Sequence, residues 1–267
     1  MAIHSTAVIH PSARLDPSVD VGPCAVIGQD TVIGPGCRIG PHCVIEYATL
    51  GRDNKLVASC FVGTPPQDLK YKGEPTRLVM GDNNTVREAV TLNRGTTATG
   101  ETRIGSGCLF MTQSHVAHDC RVGNGVILAN STALAGHVEV GDYAIISGLV
   151  GVHQFARIGR LSMTGGGSMV GKDIIPFGMV QGDRATLRGL NFLGLRRAGF
   201  KPPTVRALRE AYAELFLRGL RLEEAVAKLS AANPLPEVRE ILDFITSAKR
   251  GITRPAGDSS EKEEVEA

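Results

Sequence analysis

An aliphatic residue recurs every six positions from Ile3: Ile9, Leu15, Val21, Ile27, Ile33, Ile39 and Ile45 follow it at that interval. Four residues after each stands a small or modest one, at Ala7, Ala13, Val19, Ala25, Thr31, Cys37, Cys43 and Thr49. After a slip of one residue the period resumes at Leu50, Leu56 and Val62. It breaks over TPPQDLKYKGEPTRL and returns at Met80, Val86 and Leu92. A second break precedes an unbroken run from Ile104 to Val170. A six-residue unit is too short for a helical repeat and fits one short strand plus a corner. Such units form a parallel β-helix, because none buries its apolar side alone and each coil covers its neighbours. Side chains alternate along a strand, so the aliphatic position and the one four residues later both point into the shaft, and the rest face outward or lie at corners.

Composition agrees with such a shaft. The 267 residues include 32 Gly, no Trp and only 4% aromatics, so the core must be built from small and β-branched side chains. Five of the six cysteines, Cys37, Cys43, Cys60, Cys108 and Cys120, fall on the second inward position, where a buried free thiol serves as a small hydrophobe; Cys24 does not. No CxxC occurs. MAIHSTAVIHPSARLD lacks a basic start followed by an apolar run, and no stretch of about eighteen apolar residues occurs, so a cytosolic protein without membrane insertion is expected.

The pattern resembles the hexapeptide-repeat family, [LIV]-[GAED]-x-x-[STAV]-x. That resemblance implies a left-handed helix with three units per coil, and a homotrimer. With three units per coil, residues n and n+18 stack about 4.8 Å apart. His118 then lies in one column with Gly136 and Gln154, Asp119 with His137 and Phe155, and Ala117 with Ala135 and His153. His115, His118, His137 and His153 all fall outside the inward positions and gather on one face. Two chemistries suit this patch. In one, His118 is a general base, Asp119 or another acceptor fixes its tautomer, and the Gly136 N–H stabilises an oxyanion. In the other, two or three histidines bind zinc and ionise water.

QDLKYKGEPT (67–76), VTLNRGT (90–96), HVAHDC (115–120), LAGHV (134–138), VHQF (152–155) and GLRRAGF (194–200) occur in that order on the repeat. Together they resemble the bacterial UDP-N-acetylglucosamine O-acyltransferases, which carry out the first step of lipid A synthesis. The resemblance implies transfer of an (R)-3-hydroxyacyl group from acyl carrier protein to the sugar 3-hydroxyl, with no metal and no cofactor. It makes His118 the base, Asp119 its partner and Gly136 the oxyanion donor. Asp68 and Lys70 would contact the nucleotide sugar, His115, His137 and Gln154 would line the site, and Asn93, His153, Asn191 and Arg197 would serve substrate binding. Asn93 stands where some members carry His, and Leu193 and Ala198 where some carry Glu and Arg, which leaves the 3-amino analogue of the sugar open as acceptor. A zinc-dependent, carbonic-anhydrase-like lyase on the same scaffold is the rival from another class.

The period ends after Pro176 and helix signals begin, giving a β-helix over 1–183, with inserted loops near 64–78 and 95–103, and a small α-helical domain over 184–254. Residues 184–254 carry 14 Lys/Arg against 7 Asp/Glu, a balance of +7, whereas 255–267 read as a disordered acidic tail. The basic helices would attract an acidic carrier protein, with Arg196, Lys201, Arg206 and Arg209 as candidates. No nucleic-acid motif accompanies the charge. Gly166, in MTGGGSM, matches a family position where a small residue leaves the acyl groove open. Gly166→Met is therefore expected to shift preference to shorter donors, read with a series of carrier-protein thioesters; unchanged chain selectivity would refute it.

Overall fold

In the computed structural model, which describes residues 2–257, almost every aliphatic residue of the period closes a strand of two residues. Ile145–Ile146 is typical: Ile146 points into the shaft and is fully buried, while Ile145 lies on the outer face. The strands stack into three parallel sheets of eleven, nine and eight strands, the walls of a left-handed β-helix. A hairpin, Gly178–Gln181 paired antiparallel with Thr186–Leu190, closes the first sheet. In the second sheet Val116, Leu134, Val152 and Val170 stand opposite one another at intervals of 18 residues. The acidic tail expected from the sequence lies almost wholly outside the described residues.

The shaft contains what the period assigns to it. Leu56, Leu92, Phe110, Leu128 and Leu134 are fully buried, as are Cys37, Cys43, Cys60 and Cys120, with Cys108 nearly so. Burial pushes the Cys108 thiol up to about 11 and the Cys120 thiol to about 12, as expected of apolar packing partners rather than reactive groups. Ile3 remains exposed and Ile9 and Leu15 half-buried, because the first described coil is covered on one side only.

Both insertions leave the shaft at the edge between the second and third sheets. Leu56 pairs with Val86 and Val86 with Phe110, separations of 30 and 24 residues instead of 18, yet register is regained on both sides. Four helices follow: α1 (Phe192–Arg197), α2 (Pro202–Phe216), α3 (Leu222–Ala231) and α4 (Pro236–Thr246). The strand Thr186–Leu190 precedes them, so the segment after the last coil is not purely helical, a feature that helix signals could not reveal. Arg157 ties the helices to the shaft, pairing with Asp173 and donating to the Phe244 carbonyl, and Arg160 does so through Glu240. Among the described residues no helix is long and apolar enough to cross a membrane.

Truncating an inward side chain removes contacts from two neighbouring coils. Leu128→Ala is expected to cost about 2–5 kcal/mol, against less than about 0.5 kcal/mol for the outward-facing Glu139→Ala; urea unfolding of the two variants checks the difference.

Candidate active site

The 18-residue spacing places His118 against the next coil at Gly136. A β-carbon at Gly136 would lie 2.6 Å from Cε1 and 2.7 Å from Nε2 of His118, so only glycine lets the ring sit there. The backbone at this corner is also free. The equivalent position in other units is occupied by Pro11, Pro17, Pro23, Pro35 and Pro41, which shows that the coil ladder needs no N–H at that point. Consistently, the Gly136 N–H has no partner among the described residues, while Ala135 and His137 donate to Val152 and His118.

Asp119, His137 and Phe155 occupy the following corner with φ of 60°, 61° and 66°. This left-handed turn aims their side chains away from the shaft. His118 Nδ1 lies 2.7 Å from Asp119 Oδ2. The carboxylate is ionised: burial alone would favour the acid, but hydrogen bonds from Thr99, His118 and Thr96 outweigh it and bring the carboxyl down to about 2. An ionised carboxylate only accepts, so Nδ1 carries the hydrogen and Nε2, the edge against Gly136, offers a lone pair. The His137 ring stacks on Phe155 at 4.6 Å between centroids and meets the His118 ring edge-on at 5.3 Å. Burial lowers the pKa of His137 and of His115, so both favour the neutral form. His115 Nδ1 is 2.7 Å from Thr91 Oγ1.

His118 and Asp119 lie outside the shaft but are buried, at 8% and 4% exposure, where the sequence places them simply on an outer face. The covering comes from the second insertion, whose Thr96 and Thr99 bond the carboxylate. The first insertion is tied to the same edge by Arg94. This buried guanidinium donates to the Tyr71 hydroxyl, Glu46 and the Gly63 carbonyl, and lies 4.3 Å from the Tyr47 ring centroid. Sequence reasoning missed Arg94, Thr96 and Thr99; the only signal was their place in or beside VTLNRGT, immediately ahead of the break in the period.

The structure gathers Asp68, Lys70, Asn93, His115, His118, Asp119, Gly136, His137, His153 and Gln154 at this edge. Asp68 lies close enough to act electrostatically on His137 and its carboxylate caps the Lys70 N–H. Asn93 is buried, its Nδ2 near the Thr64 hydroxyl and its Oδ1 without a partner among the described residues. Three candidates lie elsewhere. Gly166 is on the edge between the first and second sheets, with the Gly148 carbonyl as its nearest neighbour. Asn191 caps α1 and donates to the Leu161 carbonyl at the remaining edge, and Arg197 is exposed in the last turn of α1. A groove of about 930 Å³ runs along the second sheet from His115 and His153 past Ala135, Gly151 and Met169 to the hairpin turn at Arg184.

One ligand atom each from His118, Asp119 and His137 lies within 4.8 Å of the others, the arrangement zinc would need. The donor set does not fit. Thr96 N and Thr99 Oγ1 bond Oδ1 while Thr96 Oγ1 and His118 Nδ1 bond Oδ2, which fills the acceptor capacity of the carboxylate.

Repeat, fold and a histidine–carboxylate pair at an edge define a hexapeptide-repeat transferase. The family model for bacterial transferase hexapeptides (six repeats) matches residues 6–41, and that for domain 2 of UDP-N-acetylglucosamine O-acyltransferase matches 173–253. The acyl-[acyl-carrier-protein]–UDP-N-acetylglucosamine O-acyltransferase of Myxococcus xanthus is 51% identical over 208 residues, 77% of this chain and 81% of that protein. The enzyme of the same name from Burkholderia mallei is 48% identical, over 72% of this chain and 76% of its own. Solved UDP-N-acetylglucosamine acyltransferases superpose closely: that of Francisella novicida with a TM-score of 0.93 at 38% identity over 97% of this chain and 96% of its own, that of Moraxella catarrhalis with 0.93 at 41% over 95% and 100%. The chain belongs to the acyl-[acyl-carrier-protein]–UDP-N-acetylglucosamine O-acyltransferase family.

Gly136→Ala should displace the His118 ring and lower the rate of acyl transfer about 100-fold or more, with the thermal midpoint little changed. Steady-state rates and thermal denaturation of the same preparation test both halves.

Proposed function

We propose that the protein transfers an (R)-3-hydroxyacyl group from acyl carrier protein to the 3-hydroxyl of UDP-N-acetylglucosamine, in the cytoplasm, as the first step of lipid A synthesis. The observation that carries this reading is the His118 ring, fixed through Nδ1 by Asp119 and set with Nε2 beside the unpaired N–H of Gly136. Nε2 takes the proton of the sugar hydroxyl as its oxygen attacks the thioester carbonyl. The Gly136 N–H receives the oxyanion of the tetrahedral intermediate. On collapse the carbon–sulfur bond breaks, and the imidazolium returns its proton to the leaving thiolate. A thioester is already activated, so placement and proton transfer suffice, each contributing orders of magnitude.

Neutral His115 and His137, with Gln154, line the acceptor site, and Asp68 and Lys70 reach it from the first insertion. The apolar groove over Ala135, Gly151 and Met169 suits an acyl chain. Gly166, Asn191 and Arg197 stand on other edges, so a second copy must bring them to the dyad if they serve the same substrates, which supports the homotrimer. Arg196, Lys201, Arg206 and Arg209 are exposed on and beside α1 and α2, where an acidic carrier protein could dock.

His118→Ala is expected to reduce transfer by about 10²–10⁴-fold with folding intact. The assay offers UDP-N-acetylglucosamine and its 3-amino analogue with acyl carrier thioesters. Wild-type rates on neither acceptor, or an undiminished rate in the variant, would overturn the reading.

A further inference from the structure

The Asp119 side chain is wholly shielded from solvent. Its four hydrogen bonds come from two sources. His118 supplies one, and the inserted segment between the strands Thr91–Asn93 and Glu101–Ile104 supplies three: Thr96 N at 3.0 Å and Thr99 Oγ1 at 2.5 Å to Oδ1, and Thr96 Oγ1 at 2.7 Å to Oδ2. The segment's far end holds the backbone as well, since Asp119 N donates to Thr102 Oγ1 at 2.8 Å. The Thr99 hydroxyl has a second acceptor in reach, the Glu101 carbonyl at 2.8 Å, but a single proton to give, and a charged carboxylate is the stronger acceptor.

We propose that Thr96 and Thr99 are positioning residues for the His118–Asp119 pair: their hydroxyls fix the carboxylate so that it accepts from Nδ1 and leaves Nε2 as the basic nitrogen. This rests on His118 being the base of the transfer reaction. The carboxylate sits on a left-handed corner outside the shaft, where the repeat itself gives it no side-chain partner. Without the two hydroxyls, one oxygen keeps only the Thr96 N–H and the other only His118. The carboxylate could then turn about its own axis, and the ring with it. Sharing the negative charge with two hydroxyls also restrains the pull of Asp119 on the His118 proton, so removing them makes the imidazolium easier to form. The other titratable groups facing the pair are His137, whose Nε2 lies 3.6 Å from Oδ2, and His115. Burial favours the neutral form of both, so the carboxylate and ring dominate the local field. Asp68 acts on His137 from the first insertion.

The test compares Thr96→Val, Thr99→Val, the double variant and the two serine replacements, in the full-length protein. Each valine variant is expected to lose about 10-fold in kcat and the double variant more than either, with KM for the sugar nucleotide unchanged. The acid limb of kcat/KM should move to higher pH. Exchange of the imidazole C2 hydrogen of His118 for deuterium, followed by mass spectrometry across pH, should show the same upward shift without any substrate. Serine should restore rate, pH profile and exchange midpoint. Valine variants that keep wild-type kcat and midpoint, or serine variants as impaired as valine, would overturn the proposal. An inactive wild type would instead refute the transferase reading, and the exchange midpoint would still decide whether the hydroxyls act on the ring.

Discussion

Coil-on-coil stacking is the constraint on which the rest of this molecule depends. No two-residue strand could persist alone; each does so because its backbone is bonded to the coils on either side and its inward side chain packs on the equivalents above and below. Shaft geometry leaves little freedom. Where Val116, Leu134, Val152 and Val170 must stand in register, the corners that follow must also stand in register. A catalytic ring on one coil therefore meets the backbone of the next at a distance fixed by the strand spacing, and glycine at position 136 follows from that spacing as much as from the chemistry.

A rigid shaft also explains where variation is tolerated. Both insertions emerge at one edge, and the pairing of Val86 with Leu56 and Phe110 shows that the sheets close around them without losing register. Loop entropy grows slowly with length, so such excursions cost little provided they are anchored. Arg94 and Thr76 anchor the first, Thr76 through the Gly95 carbonyl; Thr96, Thr99 and Thr102 anchor the second on Asp119. The fold thus supplies a fixed floor, and the insertions supply the walls that exclude water from it.

This division sets what could be read from the sequence. The period identified the shaft, the inward cysteines and, through the columns 18 residues apart, the meeting of His118 with Gly136 and of Asp119 with His137, because those relations repeat the same local geometry. Aperiodic segments carry no such rule. The burial of His118 and Asp119, the Arg94 anchor and the threonine contacts depend on how an insertion folds back, and hydroxyls in a polar loop look like any other turn residues. The hairpin Gly178–Gln181 with Thr186–Leu190 was similarly hidden: it lies between the end of one pattern and the start of another. The separate edges of Gly166 and Asn191 were within reach of the period, since each is a fixed number of units from His118; the motif resemblance grouped them by function and concealed that distance.

A histidine beside a carboxylate on an open surface would be a poor device. In water the pair is screened, both side chains rotate, and the carboxylate exchanges partners freely. Burying the carboxylate strengthens its hold on the imidazole, but burial alone would also favour the protonated acid and abolish the interaction. The structure resolves this conflict by supplying donors along with the burial: two hydroxyls and one backbone N–H keep Asp119 charged in a dry environment. The same donors would compete with His118 if they occupied every acceptor position, and they do not, because Oδ2 takes one hydroxyl and retains room for Nδ1. A charged, orienting carboxylate beneath a neutral base is thus a property of shaft and insertion together, since the corner alone provides the direction and the loop alone provides the charge state.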